Sequence, residues 1–220
     1  MKSTQETERE KAYRTIRNAI MFGTLKPGEK VVERRICSMF DMGRTPTREA
    51  IRQLESEGFL RTVPKRGAYV NKTSIRDMEE VAEVISVLEG YSAGMAATVI
   101  TPEKVDELKK IADQVTVAAN SGKYEAYAEA DFKFHEYFPG LSGNRFLVSE
   151  ITKMRSKLFL LRALTKALFD HVDEFMLDHK HIVDAVIERN PEKATIAMQH
   201  HVKHAKDHFV QFLKDNPWFF

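Results

Sequence analysis

The sequence predicts two domains: an N-terminal α+β domain of three helices and a hairpin, and a C-terminal all-α bundle of about six helices. Three observations lead there. Apolar residues recur at helical spacing through most of the chain. The stretch around Pro64-Lys65-Arg66-Gly67 breaks that period and reads as two strands about a turn. Charge divides at the same place. Residues 1–73 hold 16 Lys+Arg against 9 Asp+Glu, and residues 74–220 hold 18 against 23. All eight histidines follow position 134. The expected domains are therefore 1–73 and 74–220, with different partners.

Composition excludes several classes. At 43% hydrophobic and 30% charged, the 220-residue chain has an ordinary globular balance, which argues against global disorder. The single cysteine, Cys37, excludes an internal disulfide framework and a Cys-based zinc ribbon. No run approaches the ~18 consecutive apolar residues of a membrane span. The opening MKSTQETEREKAYR lacks the apolar core of a secretory signal. The expectation is a cytoplasmic protein with no membrane partner.

The first helix is expected over 8–22, with Tyr13, Ile16, Ile20 and Met21 at helical spacing and Gly23 as its stop. Lys26-Pro27-Gly28-Glu29 is a turn by composition. A second helix follows over 32–40, with Ile36, Met39 and Phe40 as its apolar stripe. A third is expected to begin at Thr45-Pro46, Thr as N-cap and Pro at the first helical position. Ala50, Ile51 and Leu54 face inward, and Gly58 ends it. Two short helices joined by about three residues form a helix-turn-helix. Leu60–Val63 and Ala68–Val70 then flank the basic turn as short strands. A helix-turn-helix followed by a hairpin is a winged helix-turn-helix.

The charges indicate what this domain touches. A recognition helix presents its N-terminal residues to base edges in the major groove. Arg44 and Arg48 occupy that end, and Arg52 lies one turn further on. Arg34 projects from the preceding helix, and Lys65 and Arg66 crown the wing. The planar guanidinium pairs bidentately with guanine edges or phosphates. A basic helix face can equally be a solvated surface, but here four elements carry cations toward one groove. The expected partner is double-stranded DNA.

These segments resemble the GntR-type winged-helix transcription regulators. The resemblance rests on Gly23-Thr24-Leu25-Lys26-Pro27-Gly28-Glu29, Glu33-Arg34, Arg44-Thr45-Pro46-Thr47-Arg48-Glu49-Ala50-Ile51, Leu54-Glu55-Ser56-Glu57-Gly58-Phe59-Leu60 and Arg66-Gly67. It runs through about residues 8–70. It implies that Arg34, Arg44, Arg48 and the wing residue Gly67 contact DNA, and that Thr45 contacts the backbone or a base. One position departs: Gly43 stands where the family commonly has Ser or Thr.

The second domain reads as helices throughout. Ser74 is expected to cap the first, whose apolar positions include Ile75, Met78, Val81, Ala82, Ile85 and Leu88. Thr101-Pro102-Glu103 opens the next. Further helices are expected over 124–138, stopping at Pro139-Gly140, and over 144–168, 170–189 and 191–214. Short breaks between so many helices imply an all-α bundle.

Four polar residues interrupt the apolar stripes. Asp131 and His135 are four apart among Tyr127, Ala128, Phe134 and Phe138. His179 sits mid-stripe among Phe175, Met176, Ile182 and Val183. His201 lies beside Met198, Val202 and Ala205, ~60° from Met198 at 100° per residue. Polar groups inside a bundle are costly unless satisfied. A single such histidine is commonly a hydrogen-bonded core residue. Three imidazoles and a carboxylate from three helices can instead share a divalent metal.

This region resembles the FadR-type C-terminal (FCD) domain of the same regulators. The resemblance is carried by Asp131-Phe-Lys-Phe-His135 with Gly143-Asn144, by Asp178-His179-Lys-His-Ile182-Val-Asp-Ala185, and by Ala197-Met198-Gln-His-His201-Val202. Residue by residue it implies Asp131, His135, His179 and His201 as ligands of one divalent ion per chain. Zinc is the first expectation, with nickel, iron or manganese compatible with the same donors. His204, one turn from His201, is a competing ligand, while His181 and His200 fall outside the stripes. The family also implies a small organic acid bound beside the metal. Ile85 stands where family members often carry an arginine, four residues before the glutamate of the pair Leu88-Glu89. Arg155 and Arg162, seven apart and near one face, are the substitute anchors, unless each is a surface or helix–helix salt-bridge residue.

The sequence therefore predicts a homodimeric transcription regulator on an inverted-repeat operator, governed by a carboxylate-bearing metabolite. Two alternatives stay open: a regulator for which the ion itself is the signal, and a metal-dependent hydrolase. The hydrolase lacks a general base near the ligands and leaves the basic domain unexplained.

Overall fold

The structure, a computed structural model, describes residues 6–72, 75–162 and 172–215. The chain divides into two compact units, one running to Ser74 and the other starting at Ile75.

The N-terminal unit is an α+β winged helix-turn-helix. Its elements are α1 (Glu8–Met21), β1 (Lys30–Val31), α2 (Glu33–Phe40), α3 (Arg44–Ser56), β2 (Leu60–Val63) and β3 (Gly67–Val70). Thr7 starts α1 with a reciprocal capping box to Glu10, which satisfies two otherwise unpaired N–H groups. Ile16, Ile20, Met21, Leu25, Ile36, Leu54 and Phe59 are fully buried and form the core. β3 is the central strand: β1 pairs it at Lys30–Tyr69 and β2 pairs it at Leu60–Val70, both antiparallel. At the tip, Lys65 and Gly67 both have positive φ (63° and 97°), and Gly67 has the conformation that glycine alone adopts without strain.

Three local expectations are corrected. α3 begins two residues earlier, at Arg44, and its N-cap is Gly43 rather than Thr45. Gly43 has no side chain to offer the cap, and the Thr47 hydroxyl donates back to its carbonyl at 2.8 Å. Met39 is 41% exposed, so the stripe of α2 narrows to Ile36 with half-buried Phe40. A strand not expected from the sequence, β1, completes a three-stranded sheet.

The second unit is all-α, with α4 (Ile75–Val99), α5 (Pro102–Asn120), α6 (Tyr124–Leu141), α7 (Arg145–Arg162), α8 (Val172–Ile187) and α9 (Pro191–Asp215). Thr101 caps α5 as expected, accepting from the Lys104 N–H. α6 does not stop at Pro139; that proline lies inside its last turn and the helix runs on to Leu141. The expected Ser74 cap and the segment 163–171 lie outside the described residues.

α4 and α9 pack closely because glycines face the contact. A Cβ on Gly94 would lie 3.1 Å from the Pro191 carbonyl oxygen and closer still to the Thr195 hydroxyl. A Cβ on Gly90 would lie 2.7 Å from Gln199 Cγ. We expect Gly94→Val to force α4 and α9 apart and cost about 1–3 kcal/mol. Chemical denaturation of the two proteins checks this, and an unchanged midpoint would refute the close approach.

Candidate metal centre and nucleic-acid interface

Three helices bring four polar side chains to one point. Asp131 and His135 come from α6, His179 from α8 and His201 from α9. All four are buried, at 1–4% exposure. The stripe positions place them there: each lies among the apolar residues its helix turns inward, and Phe134 packs its ring 4.4 Å from that of His179.

The same nitrogen of each ring faces the centre. His201 Nε2 lies 3.2 Å from His135 Nε2 and 3.3 Å from His179 Nε2. Asp131 Oδ1 lies 3.3 Å from His179 Nε2 and 3.6 Å from His135 Nε2. A zinc ion with bonds of 2.0–2.1 Å and tetrahedral angles requires donor separations of about 3.3–3.4 Å. The donor set thus fits a small divalent cation. Hydrogen bonding fits it less well, because the His135 Nδ1–H donates to Glu89 Oε2 at 2.9 Å and leaves its Nε2 a bare lone pair facing two other ring nitrogens.

Two carboxylates stand behind the donors, and sequence reasoning had assigned neither a role. Glu89 on α4 is 1% exposed and takes the His135 proton-bearing nitrogen on one side. Arg155 on α7 grips it on the other, through Nε to Oε1 and Nη2 to Oε2 at 3.2 Å. Asp178 on α8 is 5% exposed, and its Oδ2 lies 3.5 Å from His201 Nδ1. A carboxylate hydrogen-bonded behind a ligating histidine fixes the tautomer and strengthens the donor, which Glu89 is placed to do for His135, whereas His201 Nδ1 makes no hydrogen bond to Asp178. Glu89 was legible only as a charge in the apolar run of Ile85 and Leu88. Asp178 was legible only as the neighbour of His179.

Electrostatics keeps these acids ionised. Burial pushes the Glu89 carboxyl up, but the Arg155 cation and His135 overcome it and hold the group down at about 2. Asp131 likewise sits well below the carboxylate range, because His135 and His179 outweigh its burial. Burial, then His179, pulls the His201 imidazole down to about 3, and burial lowers His179 too. Both rings are therefore neutral ligands at pH 7.

The remaining expected positions separate clearly. His200 and His181 are exposed. His204 does not join the buried set; its Nδ1 bonds Asp178 Oδ2 at 2.7 Å. Arg155 is at the site, but its guanidinium already serves Glu89 and lies 3.9 Å from Asp131 Oδ2. The side chain of Arg162 lies outside the described residues.

In the first unit, Arg34, Arg44, Thr45, Arg48, Arg52, Lys65, Arg66 and Gly67 are all exposed. Arg44, Arg48 and Arg52 stand at i, i+4 and i+8 and so line one face of α3. Arg48 is held in a bidentate pair, donating from Nε and Nη2 to Glu33 at 3.0 and 2.9 Å.

Comparison with known proteins places both units. The model of the bacterial regulatory proteins of the gntR family matches residues 8–70, and that of the FCD domain matches residues 80–204. The chain is 26% identical over 211 residues to the HTH-type transcriptional repressor RspR of Escherichia coli, covering 94% of this chain and 91% of that protein. It is 24% identical over 204 residues to the HTH-type transcriptional regulator YdhC of Bacillus subtilis, covering 92% and 91%. The solved structure of E. coli McbR/YncC superposes with a TM-score of 0.80 at 17% identity, covering 94% of this chain and 99% of that one, a likeness of fold.

The carboxylate behind His135 generates a prediction. Glu89→Gln keeps an acceptor for Nδ1–H but removes the charge. Metal affinity should fall about 10–100-fold with one ion per chain still bound at saturation. Competition titration against a chelator measures it, and unchanged affinity would mean that Glu89 does not tune the centre.

Proposed function

Because the chain belongs to the gntR family of bacterial regulatory proteins and carries an FCD domain, we propose that it is a homodimeric, effector-controlled reader of an inverted-repeat operator. That it is a transcription regulator and not an enzyme follows from the families themselves. The finer reading is our own. The domains act as 1–73 for DNA and 74–220 for effector, metal and dimer contacts. Asp131, His135, His179 and His201 hold one divalent ion, zinc first, and a small carboxylate docks on it.

One observation carries the reading: three Nε2 atoms and a carboxylate oxygen converge at metal-ligand spacing in the interior of the second unit. A metal supplies a Lewis-acidic docking point there for an anionic metabolite. Arg155 is a positioning residue for Glu89 and Asp131, and an effector carboxylate meeting it must compete with them. In the first unit, Arg44, Arg48 and Arg52 face the groove, Arg34 and Thr45 hold the approach, and Lys65, Arg66 and Gly67 form the wing contact. A two-fold protein on a two-fold site supplies the specificity that one winged helix lacks.

The competing reading, in which the ion itself is the signal, differs in one measurement: whether operator affinity follows free zinc or follows an added acid. Coupling between effector and DNA must be reciprocal. Calorimetric titration of an organic-acid panel, with and without an operator selected from random duplexes, tests it. Equal effector affinities in the two titrations would reduce the site to a structural clamp.

Two sets of variants follow. His179→Ala and His201→Ala should each abolish metal at the buried centre, read by elemental analysis after dialysis; full occupancy in His201→Ala would remove it from the ligand set. Arg44→Ala and Arg48→Ala should each cost about 1–3 kcal/mol on the selected operator and relax discrimination. Lys65→Ala should weaken all duplexes alike and lower the salt slope by about one unit. Unchanged discrimination in Arg48→Ala would reassign that side chain to phosphate.

A further inference from the structure

A second group of ligating atoms stands apart from the buried centre. On α9, His204 and His208 are four residues apart and share one face. Their Nε2 atoms lie 3.1 Å from each other. Glu174 on α8 reaches both: its Oε2 is 3.4 Å from His204 Nε2 and 3.3 Å from His208 Nε2. The three atoms form a nearly equilateral triangle. A tetrahedral zinc ion with bonds of 2.0–2.2 Å needs separations of about 3.3–3.6 Å along each edge of a face, and this triangle comes within a few tenths of an ångström of that.

The tautomer also suits a metal. His204 Nδ1 bonds Asp178 Oδ2 at 2.7 Å, so that nitrogen carries the proton and Nε2 presents a lone pair to the triangle. A carboxylate behind the ring is the arrangement that orients ligating histidines. Phe175 packs edge-on against both rings, 5.5 Å from His204 and 5.7 Å from His208, and limits their rotation. Exposure differs from that of the buried centre: the His204 and His208 side chains are 25% and 26% exposed, and Glu174 is 51% exposed. A cation here keeps at least one position open to solvent.

We infer that Glu174, His204 and His208 form a second, solvent-accessible site for a divalent transition-metal ion, zinc being the probe. Three ligands and partial exposure make it the weaker of two sites. It is joined to the buried centre through one carboxylate. Asp178 holds His204 by Oδ2, and the same oxygen lies 3.5 Å from Nδ1 of His201. An ion that fixes His204 therefore also fixes the group behind a buried ligand. The second site would make occupancy of the helical domain respond to metal supply in two steps.

The test is calorimetric titration of tag-free, metal-stripped full-length chain with zinc chloride, with elemental analysis of the dialysed product. The expected isotherm has two steps, one tight and one weaker, each of one equivalent. His208→Ala should lose the weaker step and keep the tight one. Glu174→Gln, which preserves shape, should weaken that step by about tenfold or more. His179→Ala should lose the tight step and keep the weaker, so the failure of one site is read separately from that of the other. A single equivalent in the wild-type chain, or a second equivalent that survives in both His208→Ala and Glu174→Gln, overturns the proposal. The triangle would then be a hydrogen-bonded His208–His204–Glu174 chain.

Discussion

The second unit is organised around buried charge. Asp131, Glu89 and Asp178 are buried carboxylates, and Arg155 is a buried guanidinium. The three acids are held ionised, and of the charged groups around them only the Arg155 guanidinium is a permanent cation, while His179 and His201 are pulled down by burial. An uncompensated buried charge is expensive, and proteins pair such groups or place a metal among them. A divalent cation at the Nε2 centre would offset the excess of acidic charge. Arg155 lies beside the two acids on the α4 and α6 side, and Asp178 lies on the α8 and α9 side. Three imidazoles lie between them. Helices α6, α8 and α9 meet through these groups and not solely through leucine-like packing. The register of each helix is therefore tied to one point.

The first unit follows a different constraint. Its core is apolar apart from buried Arg17 and Thr47, and its other described cations are exposed. Several of these are paired, Arg14 with Glu6 and Arg35 with Glu29, and on the recognition helix Arg48 is held by Glu33. An exposed bidentate pair contributes little to stability. Its value is geometric: it holds the guanidinium of the recognition helix in one plane before DNA arrives. On the proposed reading, DNA binding would exchange Glu33 for a base edge or a phosphate. The wing obeys backbone rather than charge requirements, since the tip needs two departures into positive φ, at Lys65 and Gly67 on either side of Arg66, and Gly67 supplies the one that a side chain resists.

The legible part of the sequence was the part governed by period. Helical spacing located the described helix ends to within a few residues, the expected break between 168 and 170 lying outside the described residues, and the polar interruptions of three stripes pointed to Asp131, His135, His179 and His201. What escaped lacked a period. β1 is two residues long and exists only because β3 offers it an edge, so Lys30 and Val31 carry no pattern of their own. The start of α3 was assigned to Thr45 by its side chain, but a cap is defined by backbone angles, and Gly43 has them. Pro139 reads as a stop, yet in the last turn of α6 its ring is buried and the helix absorbs it. Glu89 and Asp178 escaped for a further reason. A carboxylate on an amphipathic helix reads as a solvent-facing residue, and only the third dimension shows that Arg155 and His201 await it.

The donor spacing also bears on how an effector would act. Four protein ligands near 3.3 Å apart suit a tetrahedral ion, whereas cis positions of an octahedral one with bonds near 2.1 Å lie about 3.0 Å apart. A carboxylate joining an ion held by these four residues would raise its coordination number, and the donors would have to close or one withdraw. Asp131 Oδ1 lies 3.6 Å from His135 Nε2, and Arg155 stands 3.9 Å from its other oxygen. The Asp131 carboxylate is thus the donor with an alternative partner, and α6 is the helix that a change of coordination would move first. Packed interfaces respond to such sub-ångström shifts by switching between arrangements rather than by deforming smoothly. A metal held by α6, α8 and α9 together is consequently suited to convert the arrival of one small acid into a change of helix packing. Metal held by one helix alone would have no such leverage.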